Sequence, residues 1–219
     1  MNDVIIIGNS GAARECYWLL DDMLRLAPGF KNICRFGGFL SWKGYDGDLK
    51  ELACHALGSS DNHEVRDNAQ YVIGVGQPAL RKAIFEEFKA RGARFMTLVH
   101  PWADISPSAV IGEANIFQRW SSVFCNAVVG NANYCNGAVN LAHDVVVGDY
   151  NFLGPVVLLL GNCAIGSENQ IGAQCNILPG ARIGDGNIIA PGSSVYKGSG
   201  DNCRLAGNPA RNLGKVADE

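Results

Sequence analysis

The sequence predicts two consecutive folds: a small α/β domain with a parallel, Rossmann-like sheet over residues 1–98, and an all-β parallel β-helix with a C-terminal tail over residues 99–219. Two observations support this division. Strand and helix signals alternate up to residue 98, which is typical of a parallel sheet with helices on its faces. From Ile105 onward, large apolar residues recur at every sixth position, a period that fits neither a helix nor a hairpin.

The N-terminal part begins with a β-branched run over 3–7 that predicts a buried strand. Gly8–Gly11 then forms a tight turn, and apolar residues at helical spacing predict a helix over 12–26. The remaining predicted elements are a strand over 35–40, a helix over 48–57, a strand over 71–75, a helix that Pro78 opens, and a fourth strand over 94–99.

The repeat in the second part is a column of sixteen apolar residues, fourteen of which are Ile, Leu or Val: Ile105, Ile111, Phe117, Val123, Val129, Cys135, Leu141, Val147, Leu153, Leu159, Ile165, Ile171, Ile177, Ile183, Ile189 and Val195. A chain wound round a triangular prism, with one hexapeptide per face, fills its interior with such a column. Glycine follows the column residue at seven places, where tight corners favour it. We expect about five coils, and known examples of this β-helix wind left-handed.

Composition excludes several classes of protein. Hydrophobic residues make up 47% of the chain, which argues against disorder, and the net charge of −3 provides no basic surface for nucleic acid or anionic lipid. The longest apolar run, Val156–Leu160, is too short for a membrane span. The N-terminus has no basic region or cleavage site of a signal peptide. Eight cysteines without a CxxC pair predict reduced thiols in a cytoplasmic protein, with no metal site.

Four histidines are present, and they differ in their expected roles. His55 and His63 are expected on the solvated surface, and His100, next to Pro101 at the domain junction, is expected to be structural. His143 follows Leu141 of the apolar column by two positions, so it lies at or near a corner of the prism, and Asp144 follows it. A histidine beside a carboxylate suits general-base catalysis near neutral pH. From the residues alone, His143 is either such a base or one more polar corner residue.

Several motifs together resemble the hexapeptide-repeat sugar O- and N-acetyltransferases of the NeuD/PglD type. They are the six-residue repeat behind a small α/β domain, the Gly8-x-x-Gly11 turn, the His100-Pro101 junction, the His143-Asp144 pair before Val-Val-Val-Gly-Asp, and Gly207-Asn208-Pro209-Ala210-Arg211. The resemblance covers nearly the whole chain. It implies a homotrimer, with active sites between subunits, that transfers acetyl from acetyl-CoA to the amino group of a nucleotide-linked sugar.

The same resemblance implies roles for individual residues. His143 is the catalytic base, Asp144 supports its imidazole, and the backbone near Gly161 stabilises the oxyanion. Phe152, Ala173 and Pro191 match residues that line the CoA groove of the family. Four nearby cations are candidates for the CoA phosphates: Arg182, Lys197, Arg204 and Arg211.

The resemblance also places the nucleotide sugar in the N-terminal domain. Ser10, Gly11 and Ala12 match the family's binding turn, where helix amides suit phosphate, and two further pairs follow the second and third strands: Ser41-Trp42 and Gly76-Gln77. The sequence departs from the family in having Ala12 in place of a large residue and Ser41-Trp42 in place of an acidic pair. The choice of nucleotide therefore stays open.

Three alternatives remain beside this interpretation. The chain resembles γ-type carbonic anhydrases in its β-helix, but one histidine per β-helix is too few for their three-histidine zinc site. It is also compatible with O-acetylation of a sugar hydroxyl, as on sialic acid, or with another acyl group. Finally, it is compatible with a non-catalytic trimer that only binds a sugar nucleotide.

Overall fold

The computed structural model describes residues 1–27, 29–45 and 47–216 of the chain. The chain divides into two compact units, Met1–Pro101 and Trp102–Glu219, so the division falls three residues after the expected one. No helix in the described ranges has the length and apolar character needed to span a bilayer.

The first unit is a four-stranded, fully parallel sheet with order β3-β2-β1-β4. Its strands and the short strand that follows are β1 (Asn2–Ile7), β2 (Cys34–Ser41), β3 (Ala56–Ser59), β4 (Ala69–Ile73) and β5 (Leu98–Val99). Its α-helices are α1 (Gly11–Leu26) and α2 (Pro78–Ala90), and its 3₁₀ helices are Phe30–Asn32, Trp42–Gly44, Lys50–His55 and Ser60–Asn62. The central strand β1 is buried from Val4 to Ile7, as its β-branched run predicts.

Two predicted elements of this unit are wrong. The helix expected over 48–57 is a 3₁₀ helix over Lys50–His55 followed by strand β3. Leu49 and Leu52 are buried there while their neighbours are exposed, so the segment has too narrow an apolar stripe for a full helix. The strand expected over 94–99 reduces to an isolated bridge of Phe95 to Tyr71 and the two-residue strand β5.

Two histidines of this unit are buried. His63 contradicts the expected surface position: its Nε2 lies 2.9 Å from the Tyr71 hydroxyl. The polar residues around His63 do not predict its burial, because its partner Tyr71 belongs to strand β4 and not to the same loop. His100 is structural, as expected, and its Nε2 lies 3.1 Å from Oδ2 of Asp22.

The second unit is a parallel β-helix in which each coil contributes one two-residue strand to each of three sheets. The strands in chain order are β6 (Asp104–Ile105), β7 (Val110–Ile111), β8 (Ile116–Phe117), β9 (Ser122–Val123), β10 (Val128–Val129), β11 (Tyr134–Cys135), β12 (Asn140–Leu141), β13 (Val146–Val147), β14 (Phe152–Leu153), β15 (Leu158–Leu159), β16 (Ala164–Ile165), β17 (Gln170–Ile171), β18 (Asn176–Ile177), β19 (Arg182–Ile183), β20 (Ile188–Ile189), β21 (Ser194–Val195), β22 (Gly198–Ser199), β23 (Cys203–Gly207) and β24 (Ala210–Lys215). Strands β23 and β24 form an antiparallel hairpin whose turn holds a cis Asn208–Pro209 peptide.

The apolar column fills the prism as the period of six predicts. Every column residue from Phe117 to Val195 is buried, and only Ile105 and Ile111, in the first coil, are partly exposed. Strand pairing joins residues eighteen apart, as in Ser122 with Asn140 and Asn140 with Leu158. Residues separated by eighteen positions are therefore neighbours on consecutive coils.

One column of asparagines lies inside the prism rather than on its surface. Its members, eighteen apart and fully buried, are Asn115, Asn133, Asn151, Asn169 and Asn187. The Oδ1 of each of the first four accepts hydrogen bonds from the backbone N–H and the Nδ2 of the next asparagine, as in Asn133 to Asn115 at 2.8 and 3.1 Å, and Asn187 Oδ1 accepts from the Cys203 N–H. The ladder satisfies polar groups that a buried corner leaves without water.

Candidate functional site

The carboxyl ends of three parallel strands bring together the residues predicted to hold the nucleotide sugar. β1 ends at Ile7, which pairs with Leu40 of β2 and Ile73 of β4, so the segments after these strands share one edge of the sheet. These segments contain the predicted residues Ser10, Gly11, Ala12, Ser41, Trp42, Gly76 and Gln77. Such an edge is where open α/β sheets bind ligands.

Ser10 occupies the N-cap of α1, and its side chain makes no cap hydrogen bond. Gly11 is exposed and Ala12 is partly exposed, so the first turn of the helix is accessible. Free amide groups at a helix N-terminus attract anions. An accessible, uncapped first turn is compatible with the predicted role of this turn in phosphate binding.

A cavity of about 310 Å³ opens beside this edge. Its lining includes Asn9, Phe39, Ser41, Tyr45, Asp48 and Gly58. Of the residues predicted for the nucleotide sugar, Ser41 lines this cavity. Trp42 is instead buried, with its ring centroid 6.5 Å from that of Phe88 and with the Lys43 Nζ 4.8 Å from its ring.

The cavity contains polar groups that sequence reasoning missed. Asn9 Nδ2 donates to the carbonyl oxygen of Tyr45 at 2.6 Å, which ties the turn after β1 to the loop after β2. Asp48 adds a carboxylate seven residues beyond Ser41, and hydrogen bonds from Lys50 lower the pKa of that carboxyl. Asp48 thus supplies an acidic group near the place where the sequence lacks the expected acidic pair. The sequence alone does not predict that Asp48 lies near the end of β2, because the loop between them is irregular.

Arg14 is a second missed residue. It lies in the first turn of α1, and its Nη2 would be 3.8 Å from a Cβ placed on Gly11. Among the described residues, its buried Nε has no hydrogen-bond partner. Its charge also contributes to lowering the pKa of Asp48. A cation with unused hydrogen-bonding capacity at a helix N-terminus suits a phosphate.

In the second unit, the side chains of His143 and Asp144 are hydrogen-bonded to each other at a corner after β12. His143 Nδ1 lies 2.8 Å from Asp144 Oδ2, and Asn126 Nδ2 donates to Asp144 Oδ1 at 3.1 Å. Asp144 adopts φ of 58°, so the chain turns at this residue and both side chains face outward. The His143 side chain is 55% exposed.

The bonding pattern determines the state of the pair. Hydrogen bonds from His143 and then Asn126 lower the pKa of the Asp144 carboxyl, which keeps it ionised near neutral pH. An ionised carboxylate only accepts hydrogen bonds, so Nδ1 of His143 carries the proton. In the neutral imidazole with this tautomer, Nε2 has a free lone pair, as a general base requires.

Gly161 lies one coil above His143 in the same corner column, since Asn162 N donates to the His143 carbonyl oxygen at 3.1 Å. A Cβ on Gly161 would come within 2.6 Å of both Cε1 and Nε2 of the imidazole. Within the described part of the chain, the Gly161 N–H donates no hydrogen bond. It is therefore available to an oxygen that develops negative charge beside Nε2.

The other residues predicted for CoA lie elsewhere on the prism. Ala173 and Pro191 stack eighteen apart on the preceding corner, where Gly192 N donates to the Ala173 carbonyl oxygen at 2.8 Å. Phe152 lies on a flat face with its ring centroid 5.5 Å from that of Tyr134. Within one chain, the sheet that contains β12, β15 and β18 therefore lies between the corner of Ala173 and Pro191 and the corner of His143.

Two of the four candidate phosphate-binding cations share a site. Lys197 and Arg211 both line a cavity of about 310 Å³ beneath the C-terminal hairpin. Arg182 lies on β19 and Arg204 on β23, and both are exposed outside this cavity. No group of three or more His, Cys, Asp or Glu side chains within 1–27, 29–45 and 47–216 is arranged to hold a metal ion.

Comparison with known proteins identifies the repeat and the fold. Residues 162–197 match the family described as bacterial transferase hexapeptide (six repeats). No curated protein sequence matches the chain.

Three solved structures have the same architecture over nearly the full length of this chain. The acetyltransferase domain of PglB from Neisseria gonorrhoeae FA1090 is 23% identical, covers 97% of this chain and 100% of its own, and has a TM-score of 0.85. WeeI from Acinetobacter baumannii AYE is 21% identical, with coverage of 97% and 100% and a TM-score of 0.84. A variant of perosamine N-acetyltransferase from Caulobacter crescentus, solved with CoA and GDP-perosamine, is 19% identical, covers 98% of both chains and has a TM-score of 0.84.

These comparisons confirm the predicted fold class, a small parallel α/β sheet followed by a left-handed parallel β-helix. They also confirm that the chain resembles hexapeptide-repeat sugar acetyltransferases in repeat and architecture. The PglB domain has also been solved with acetyl coenzyme A.

Proposed function

We propose that this protein is an acetyl-CoA-dependent acetyltransferase that acts on the amino group of a nucleotide-linked amino sugar. The observation that carries the proposal is the His143–Asp144 pair, with Nε2 of the imidazole against Gly161, whose N–H donates no hydrogen bond within the described residues. The similar structures that bind CoA with GDP-perosamine, or acetyl coenzyme A, support the two substrate classes.

In the proposed reaction, the sugar amine attacks the thioester carbonyl carbon while Nε2 of His143 removes a proton from the amine. The Gly161 N–H stabilises the oxyanion of the tetrahedral intermediate. The C–S bond then breaks, the carbonyl re-forms as the amide, and the departing CoA thiolate takes the proton from the imidazolium. Asp144 holds the imidazole in its reactive tautomer throughout.

A direct transfer needs no cysteine nucleophile. Cys163 lies two residues after Gly161, but burial raises the pKa of its thiol to about 11, so it stays protonated. Cys125 is exposed and lies one coil below His143 in the same column, since Asp144 N donates to the Cys125 carbonyl oxygen. Cys125 is therefore the residue on which a covalent alternative would depend.

We assign the nucleotide sugar to the carboxyl edge of the N-terminal sheet, which is accordingly the nucleotide-sugar-binding domain. The uncapped first turn of α1 and Arg14 support a diphosphate there, and Ser41 and Asp48 line the adjacent cavity. Lys197 and Arg211 support an assignment of the CoA phosphates to the second cavity, beneath the C-terminal hairpin.

We further propose a homotrimer with active sites between neighbouring β-helices. Three aligned valines leave an exposed apolar stripe on one flat face: Val110, Val128 and Val146. A second copy of the chain would cover this stripe, as parallel prisms do in the family that the sequence resembles. A cytoplasmic location is supported by eight free cysteines.

The central experiment measures acetyl transfer by mass spectrometry over a panel of UDP-, GDP- and dTDP-linked amino sugars, with wild-type protein and His143→Ala. We expect one amide product, and a rate reduced by about 10²–10⁴ in the variant because general-base catalysis is lost. Because the His143 side chain is largely exposed, the variant should fold and assemble normally. Wild-type turnover in His143→Ala would refute the assignment of the base.

Two further variants separate the mechanisms. Asp144→Asn keeps a residue that tolerates the left-handed corner but removes the carboxylate acceptor, so we expect at least a tenfold loss of rate. Cys125→Ser should retain full activity if transfer is direct. An ester product with a hydroxyl sugar would indicate O-acetylation, and binding without any product would indicate a non-catalytic protein.

A further inference from the structure

Two stacked tryptophans form an exposed aromatic surface on the β-helix. The rings of Trp102 and Trp120 are nearly parallel, with 22° between their planes and 6.4 Å between their centroids. They are 53% and 64% exposed. The Arg119 guanidinium lies 5.1 Å from the ring of Trp102 and 5.8 Å from that of Trp120. These three residues are called the tryptophan patch below.

The position of Trp120 makes its exposure informative. It occupies a corner slot with φ of 62°, a conformation in which bulky side chains are uncommon. Three other corners of the prism have alanine in the same kind of slot, namely Ala114, Ala132 and Ala138. The fold therefore needs no aromatic residue here. An exposed aromatic pair that the fold does not require is typical of a binding surface.

The tryptophan patch belongs to the same corner column as Ala173 and Pro191, which the family resemblance predicts to line the CoA groove. Backbone hydrogen bonds run along this column from coil to coil, from Ala138 N to the Arg119 oxygen, Val156 N to the Gly137 oxygen, Gln174 N to the Pro155 oxygen, and Gly192 N to the Ala173 oxygen. Arg119, Ala173 and Pro191 thus lie on one continuous ridge.

Along the axis of the β-helix, the tryptophan patch lies below the level of His143, and the residues predicted for CoA lie above it. Strands β9, β12, β15 and β18 are consecutive neighbours in one sheet. Trp120 precedes β9 and His143 follows β12, so Trp120 lies about one coil below the base. Ala173 precedes β18, about two coils above the level of His143. With sheet spacing of about 4.8 Å, the patch starts roughly one strand spacing below the base.

This order determines which ligand can reach the patch. Pro191 and Gly161 lie at different corners of one chain, so CoA can reach both only in the groove between two subunits of the proposed trimer. If CoA descends along that groove, its thioester reaches the level of His143, and the acceptor amine must approach from the opposite side. The acceptor sugar then lies at the level of Trp120 and Trp102. The flat C–H face of a pyranose can stack on an aromatic ring, and Arg119 adds positive charge for an anionic sugar derivative.

We propose that the tryptophan patch binds the sugar ring of the nucleotide-linked acceptor and orients its amine toward His143 of the neighbouring subunit in the proposed trimer. The inference rests on the proposed function and deepens it by assigning the acceptor subsite. It commits the patch to a pyranose linked to phosphate, rather than to a subunit contact or to the adenine of CoA.

Trp120→Ala is the decisive variant, because Ala138 already occupies the equivalent corner of the next coil. We expect KM for the nucleotide-linked amino sugar to rise about tenfold or more, with KM for acetyl-CoA unchanged within twofold. The affinity for the same nucleoside diphosphate without a sugar should stay the same. Trp18→Ala is the matched control, since Trp18 is exposed on α1 and lies in neither assigned site.

Tryptophan fluorescence tests binding independently of acetyl transfer. The nucleotide-linked amino sugar should quench the wild-type and Trp18→Ala proteins, and the quenching should be lost or halved in Trp120→Ala. An unchanged KM and unchanged quenching in Trp120→Ala would overturn the inference, as would absence of quenching by every member of the panel. A change of oligomeric state in Trp120→Ala by light scattering would also overturn it, since the patch would then be a subunit contact. Quenching without acetyl transfer would uphold this subsite and refute the proposed reaction.

Discussion

Gly161 lies directly against the imidazole of His143, so close that a Cβ on the glycine would come within 2.6 Å of Nε2. The two residues are eighteen positions apart, one full coil of the prism. The imidazole of His143 therefore occupies space that a side chain at residue 161 would fill. The N–H of the same glycine donates no hydrogen bond among the described residues.

Gly161→Ala should impair catalysis without unfolding the protein. The methyl group displaces the imidazole, and a displacement of about 1 Å can cost about 10²-fold in rate. Steady-state kinetics should show the loss chiefly in kcat. Gly200→Ala is the matched control, since nothing lies within 4 Å of a Cβ at that position. Equal activity of the two variants would contradict the proposed contact between Gly161 and the base.

Arg14→Gln should raise KM for the nucleotide sugar about tenfold or more, because a charge-assisted hydrogen bond to phosphate is lost. KM for acetyl-CoA should not change. Arg25→Gln, near the other end of the same helix, provides the control, since Arg25 is exposed and pairs with Asp21 and Asp22 of that helix. If both variants keep the wild-type KM, phosphate does not bind at this helix terminus.

Asn151→Ala should destabilise the β-helix by about 3 kcal/mol, as it leaves buried polar groups unsatisfied. The Asn151 amide donates to Asn133 Oδ1 and to the Gly166 carbonyl oxygen, and its Oδ1 accepts two hydrogen bonds from Asn169. Urea denaturation measures the change. The exposed Asn68→Ala variant should lie within about 0.5 kcal/mol of the wild type.

The stability of the N-terminal domain should decrease below about pH 6.5 because of His63. Burial, followed by the charges of Arg66 and Arg91, lowers the pKa of His63 in the folded protein. The unfolded chain, with a pKa of about 6.5 at this residue, therefore binds the proton first as the pH falls. This contribution is fully present above pH 6.5 and is lost progressively below it.

Denaturation midpoints between pH 5 and 8 test this dependence. His63→Gln should flatten the curve, whereas the exposed His55→Gln should leave its shape unchanged. A curve of the same shape in His63→Gln would assign the pH dependence to other groups.

Much of the candidate site follows from the six-residue period. Once three hexapeptides make a coil, the spacing of eighteen makes His143 a neighbour of Gly161, and Ala173 a neighbour of Pro191. The same spacing separates Trp102 from Trp120, so their stacking was accessible to sequence reasoning although it was not predicted. The N-terminal domain was less predictable, and the helix expected over 48–57 is the clearest error.

The sequence by itself determined the β-helix, its buried column and the placement of His143 beside Asp144 at an outward corner, because a strict repeat turns sequence separation into spatial distance. Only the tertiary structure decided that Asp48 and Asn9 share a cavity, that the asparagines form a buried ladder, and that His63 is buried against Tyr71. These contacts depend on irregular loops, or on the direction in which a side chain leaves the backbone at a corner. A six-residue period predicts neither the course of an irregular loop nor the direction of a corner side chain. Both are determined only when the whole chain is packed.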